Sequence, residues 1–259
     1  MNLTKKEMSM NPTIEKQLDH RSIREFKAEP FPQEDFELLM QVAQRTATSS
    51  GLQASSILRI SDPELKVKIA EICHQEYIGR IPLLLIFLVD QFRNNEIAKE
   101  QGIISDGAAG MDSFFQSFTD ASLMAQNVVN AAEALNYGTF YIGSIHNDPT
   151  AMCALLKLPK LVFPVVGLGI GVPNQSPALK PRMNMDLRVF DNTYTIFDNY
   201  VNQMKEYDAQ MQTYYDLRDT NRRLDSFTLQ VAKRINAHNP TRQELLNIVR
   251  DQGFIFRLK

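Results

Sequence analysis

The chain has 259 residues, 44% of them hydrophobic and 22% charged, ordinary proportions for a globular protein with a sizeable buried core. A formal net charge of −2 gives no global attraction to nucleic acid or to an anionic membrane surface. Cys73 and Cys153 lie far apart and outside any C-x-x-C pattern, and His20, His74, His146 and His238 lack metal-ligand spacing. Neither a disulfide scaffold nor a metal site is therefore expected. The N-terminal MNLTKKEMSMNPT carries lysines with no apolar run behind them, so it does not read as a secretory signal, and the cytoplasm is the expected location.

Asn11 and Pro12 open the first predicted helix, which continues through TIEKQLDH, since proline suits the first helical position. A second helix is predicted over 33–45, with Phe36, Leu39, Met40 and Ala43 on one face. SSILRIS (55–61) reads as a short strand, and Pro63 opens a helix ending near His74. The run 82–90, PLLLIFLVD, reads as a buried strand, because it is far shorter than the roughly 20 residues a bilayer span needs. Residues 121–135, ASLMAQNVVNAAEAL, predict a helix whose small residues suit close packing on several sides. Strands follow at 138–143 and 161–172, and then the prolines between 173 and 188 predict a long irregular loop. Beyond Tyr194 three helices are predicted, near 196–216, 224–237 and 241–252. The sum is an α+β sandwich with one core and a helical C-terminal extension.

Four clusters carry chemistry. Arg21 and Arg24 flank the hydroxyl of Ser22 at the end of the first predicted helix. One helical turn would set both guanidinium forks on the same side, where they could clamp a phosphate or simply cap the helix. The stretch 47–53, ATSSGLQ, concentrates small hydroxyls and an amide that could bond a flat polar ring, or could form a plain loop. Lys180-Pro181-Arg182 places two cations on a stiffened loop, as a ligand site or as solvated charges. Tyr141-Ile142-Gly143-Ser144 ends a strand with a glycine that either lets a ligand approach the backbone or merely turns the chain. Gly167, Gly169 and Gly171 are not a dinucleotide fingerprint. They alternate within a strand and Pro173 and Pro177 bar a following helix, so they read as glycines permitting close packing.

HRSIREF, RTATSSGLQASS, DASLMAQNVVNAAEALNYGTFYIGS, LPKLVFPVVGLGIGVP and ALKPRM occur in series, and this series resembles the nitroreductase superfamily. It is closest to the branch of oxygen-insensitive NADPH nitroreductases and NADPH-flavin oxidoreductases. The resemblance implies one FMN-binding domain, an α+β fold with a mainly antiparallel sheet flanked by helices. Its core would span 11–194 and its helical extension 195–259. It implies a homodimer sharing its flavin sites, with no nucleic-acid or membrane partner.

Residue by residue, the resemblance assigns His20, Arg21, Ser22 and Arg24, with Lys180 and Arg182, to the FMN phosphate and ribityl chain. Thr48, Ser49 and Gln53 would contact flavin, in part that of the partner subunit. Gln75 would face the flavin ring, and Tyr141, Ile142, Gly143 and Ser144 would lie against it. Arg218, Arg222 and Arg223 would meet the NADPH phosphate. Gly51 stands where the family often has a larger residue, and Ser144 where it often has a second glycine; both adjoin the expected substrate space.

The implied reaction is ping-pong hydride transfer from NADPH through FMN to a nitroaromatic, quinone or flavin. It needs no protein nucleophile, and Arg24 is the expected cation tuning the N1–C2=O edge of the flavin. Two alternatives remain at this point: a dedicated flavin reductase feeding a partner, or a flavin-binding sensor or storage protein without turnover.

Overall fold

A computed structural model of the protein describes residues 11–216, 222–223, 225–237 and 239–256. In chain order it runs α1 (Pro12–Leu18), α2 (Gln33–Gln44), β1 (Ser55–Ile60), α3 (Pro63–Cys73), β2 (Leu83–Asp90) and α4 (Phe92–Glu100). Then come α5 (Met111–Ala134), β3 (Gly138–Ile142), α6 (Pro149–Leu155) and β4 (Val162–Gly171). The remainder is α7 (Tyr200–Gln203), α8 (Lys205–Thr213), β5 (Tyr215–Asp216), β6 (Arg222–Arg223), α9 (Phe227–Asn236), α10 (Pro240–Gln243) and α11 (Leu245–Asp251). The chain forms two compact units: 1–175 together with 241–259, and 176–240. The division falls at Ser176 and again at Thr241.

In the first unit β1, β2, β4 and β3 form, in that order, a four-stranded sheet with every neighbouring pair antiparallel. β2 is buried on both faces, which is why its sequence is an unbroken apolar run. Its alternate residues sort cleanly. Leu83, Leu85, Phe87 and Val89 join α2 and α5 on one face, while Leu84, Ile86 and Leu88 join α3 and α6 on the other. The single expected core is therefore two clusters separated by the sheet. α5 lays Ala121, Ala125, Val128 and Ala132 against its face at helical spacing, all 0–1% exposed, because small side chains let the helix lie close.

β4 carries a bulge. Phe87 pairs with Val166 and Leu88 with Pro164, leaving Val165 as the extra residue. Pro164, which cannot donate to a ladder, is tolerated in this central strand beside the bulge. The bulge also shifts the parity of β4. Phe163 and Val165 face the α5 side before it, and Leu168 and Ile170 face that side after it. Gly167, Gly169 and Gly171 consequently point the other way, where added Cβ atoms would strike Ile142, Phe140 and Phe26 respectively. They are packing glycines.

Several elements depart from the sequence expectation. α5 begins ten residues earlier than 121, and α4 and α6 were not expected. The helix predicted over 196–216 starts at Tyr200, breaks at Met204 and gives way to the β5–β6 pair. The C-terminal residues return to the first unit: Ile255 N–H donates to Ala109 O at 2.8 Å, and Phe254 is 1% exposed in the α5-side cluster.

Candidate active site

The segment His20–Arg24 is not helical. α1 ends at Leu18 with Asp19 as its C-cap, and the chain then extends along the outer edge of β3. Ser22 bridges Thr139, and Ile23 N–H donates to Thr139 O at 2.9 Å, which buries Ile23. The helical turn expected to align Arg21 with Arg24 is thus replaced by extended backbone, because β3 offers an open edge to pair with. His20 Nδ1 meets Glu133 Oε1 at 2.7 Å, and Thr139 Oγ1 donates to the same oxygen at 2.6 Å. One carboxylate of α5 thereby ties this segment and β3 together. Arg21 Nη1 donates to Asp19 at 2.7 Å, whereas its Nε is buried with no acceptor among the described residues. The Arg24 guanidinium lies 5.9 Å from the centre of the Phe140 ring.

At the end of β3, Ile142 is buried and Gly143 is exposed, with open space where a Cβ would stand. Tyr141 donates to Gln126 Oε1 at 3.1 Å; desolvation, and then the Glu133 carboxylate, push its phenol up to about 12. Arg242, at the start of the C-terminal return, donates to Gly143 O at 3.1 Å. Ser144 Oγ donates to Gln75 Oε1 at 3.0 Å, so the two sequence-distant candidates Gln75 and Ser144 do meet.

The serine-rich loop is held separately. Asp120, in the middle of α5 and 1% exposed, accepts the Ser49 N–H at 2.8 Å; Asn127, two turns on, grips Val42 O and Thr46 Oγ1. From the other side Asn94 donates to Leu52 O at 3.0 Å and Arg93 to Gln53 O. Between these anchors Ser50, Gly51 and Gln53 all adopt positive φ, so the loop is wound tightly and presents Thr48 to Gln53 in one fixed conformation. Only Gly51 takes that conformation without steric cost.

In the second unit Arg182 is exposed and folds its Nη1 back onto Lys180 O at 3.1 Å and Pro181 O at 3.3 Å; Tyr207 also donates to Pro181 O. Arg222 and Arg223 form β6, paired with Asp216 and Tyr215, while Arg218 lies outside the described residues. Sequence reasoning missed Glu133, Asp120 and Arg242. A carboxylate at the buried spacing of an alanine-rich helix was a readable signal for Asp120. Glu133 and Arg242 carried none, because their partners are brought to them only by the fold.

With that sheet, the cationic segment along its outer edge and the open glycine at the end of β3, the chain belongs to the nitroreductase family, as comparison with known proteins shows. The family model, "Nitroreductase family", matches residues 18–172, and the model "Nitroreductase family, C-terminal domain" matches 180–257. Two curated relatives are each 34% identical. One is an FMN reductase (NADPH) of Bacillus subtilis, matched over 95% of this chain and 99% of its own. The other is an oxygen-insensitive NADPH nitroreductase of Salmonella typhimurium, over 96% and 100%. Among solved structures, the B. megaterium protein NfrA2 superposes with a TM-score of 0.88 at 31% identity, over 96% of this chain and 100% of its own. The Vibrio harveyi NADPH:FMN oxidoreductase, complexed with NAD+, gives 0.84 at 29% over 95% and 100%.

Proposed function

We propose that this protein is an FMN-dependent oxidoreductase that takes hydride from NADPH and reduces nitroaromatic, quinone or flavin acceptors. The observation that carries the reading is the buried Nε of Arg21, which has no acceptor among the described residues, on a segment held against β3. A buried guanidinium donor without a partner costs free energy, and a phosphate or ring oxygen would relieve it. The open space over Gly143 fits a flat ring laid against backbone. FMN supplies hydride acceptance and release, and the chain supplies binding, orientation and charge.

His20, Arg21, Ser22 and Arg24 hold the phosphate and ribityl end, and Arg24 sets the charge beside the ring; the family resemblance assigns a phosphate contact to Lys180 and Arg182 as well. Tyr141, Ile142, Gly143 and Ser144 back the ring, and Gln75 faces it. Arg242 braces the Gly143 carbonyl so that this backbone stays in place. Thr48, Ser49 and Gln53 contact the flavin of a partner subunit. Arg218, Arg222 and Arg223 meet the NADPH 2′-phosphate, to which arginine is suited because it stays charged and bonds bidentately.

The protein works as a homodimer. Support comes from the first unit, where Phe115 and Leu123, two turns apart along α5, are 63% and 48% exposed, together with Leu52 and Ile104 at 58% and 94%. The cytoplasm is its compartment, consistent with two free, buried thiols, and no helix among the described residues is long and apolar enough to cross a membrane. The reading is tested on the purified protein. It is expected to be yellow, to release FMN on heating and to oxidise NADPH with a quinone or nitroaromatic present. A colourless protein that fails to take up added FMN, or one holding FAD instead, would overturn it. Flavin binding without NADPH oxidation would favour the storage reading.

A further inference from the structure

Ser144 and Gln75 sit on different elements, in the turn after β3 and just beyond the end of α3. The Ser144 hydroxyl nevertheless donates to Gln75 Oε1 at 3.0 Å. The Cys73 thiol beside this pair is buried, which pushes its titration up, while the Ser144 hydroxyl acts in the opposite direction. The surrounding frame is held as well. Asn147 Nδ2 donates to Cys73 O at 3.1 Å, Gln75 N–H donates to Ala70 O at 3.0 Å, and His74 turns the chain at φ 52°. A glutamine side chain has an accepting oxygen and a donating NH2 group. Because the oxygen accepts from Ser144, the NH2 group is the end of the amide turned away from that hydroxyl.

We infer that Ser144 is a positioning residue that fixes the Gln75 amide as a hydrogen-bond donor toward the flavin ring. This rests on the reading above that Gln75 faces FMN. The pyrimidine edge of a flavin presents several acceptor atoms and one N–H donor, so a Gln75 that presents its NH2 group selects the acceptors. Electron density on those acceptors rises when the ring is reduced, and a fixed donor then stabilises the reduced ring more than the oxidised one. Without the hydroxyl the amide turns over freely and presents its NH2 only part of the time. A glycine here, common in the family, leaves the corresponding amide without this lock; this chain has the lock built in.

The test combines FMN titration of the apoprotein with the midpoint potential of the bound flavin, for Ser144→Ala, Ser144→Cys, Gln75→Met and the double variant Ser144→Ala/Gln75→Met. Ser144→Ala is expected to weaken FMN binding by about 2- to 12-fold, the range of one hydrogen bond, and to shift the potential to more negative values. Ser144→Cys, a weaker donor of similar shape, should fall between Ser144→Ala and the parent. Once Gln75 is methionine, Ser144→Ala should add no further change, because its effect passes through the amide. A merely structural Ser144 would lower the melting temperature and leave the potential in place, which would overturn the assignment. So would an undiminished Ser144→Ala effect in the Gln75→Met background, or FMN held by Ser144→Ala as tightly and at the same potential as by the parent. A parent protein that binds no FMN is a separate result, and it would sink the flavin reading and this inference together.

Discussion

Gly169 lies opposite Phe140 across the β3–β4 ladder, and a Cβ there would collide with that ring and come within 3.0 Å of Ile81 Cδ1. The ring is buried and hemmed in by Phe26 and Tyr77, so it has little room to yield. Gly169→Ala is expected to cost about 1–3 kcal/mol, lowering the melting temperature by roughly 2–12 °C in a thermal melt. An unchanged melt would show that β4 can move aside. Arg182 poses the opposite case, an exposed cation bonded only to nearby carbonyls in the interactions described above. If it holds the FMN phosphate, Arg182→Ala loses a charge-assisted bond of about 1.5–3 kcal/mol, which is about 10- to 150-fold in FMN affinity. Its melt in the absence of flavin should match the parent, because a solvated loop charge contributes within about 0.5 kcal/mol. Titration of the apoprotein decides between the two, and equal affinity would return Arg182 to the solvent.

The serine-rich loop shows how one element supports another. Three positive-φ residues are held between α5 below and α4 beside, and the deepest anchor is the Asp120 carboxylate. Asp120→Ala leaves the Ser49 N–H without its acceptor, at a local cost of about 1–3 kcal/mol. It also removes a buried Oδ2 that has no partner among the described residues, so global stability should change less than local stability. Hydrogen exchange should therefore speed up about 5- to 150-fold at Ser49 while β2 amides keep their protection; equal acceleration in both would mean the whole fold had loosened. α5 itself was only half legible. Its alanine-rich half reads as helix, whereas 111–120 is rich in Ser, Thr, Phe and Asp, which are weaker helix formers. In the folded helix Ser117, Thr119 and Ser122 return their hydroxyls to the carbonyls four residues back, and packing supplies what propensity lacks.

For the assembled protein, the exposed apolar residues of the first unit call for a cover. A homodimer that buries Phe115, Leu123, Leu52 and Ile104 would have an interface of the large, apolar, obligate kind. Dilution followed by sedimentation should then yield no stable folded monomer, and flavin should be lost together with the dimer. A monomer retaining FMN and full activity would refute the shared-site arrangement. Phe115→Glu offers an independent check, since a charge buried at such an interface should dissociate the dimer while leaving the α5-side core untouched.

What the sequence determined by itself was whatever depends on near neighbours and on pattern. The unbroken apolar run of β2, the small-residue face of α5, the irregular stretch after β4 and the ordered series of motifs were all readable, because burial period and turn chemistry are local properties. Tertiary structure decided the rest. The His20–Arg24 segment is extended because β3 had an edge to offer, and β4 bulges at Val165, setting its glycines on one face and its large residues on the other. The contacts that join the candidate site residues span 69, 71 and 113 positions: Ser144 to Gln75, Ser49 to Asp120 and His20 to Glu133. No window along the chain contains both partners of such a bond. Each depends on the packed sheet and helices to bring distant segments together, so these contacts had to be seen in the fold.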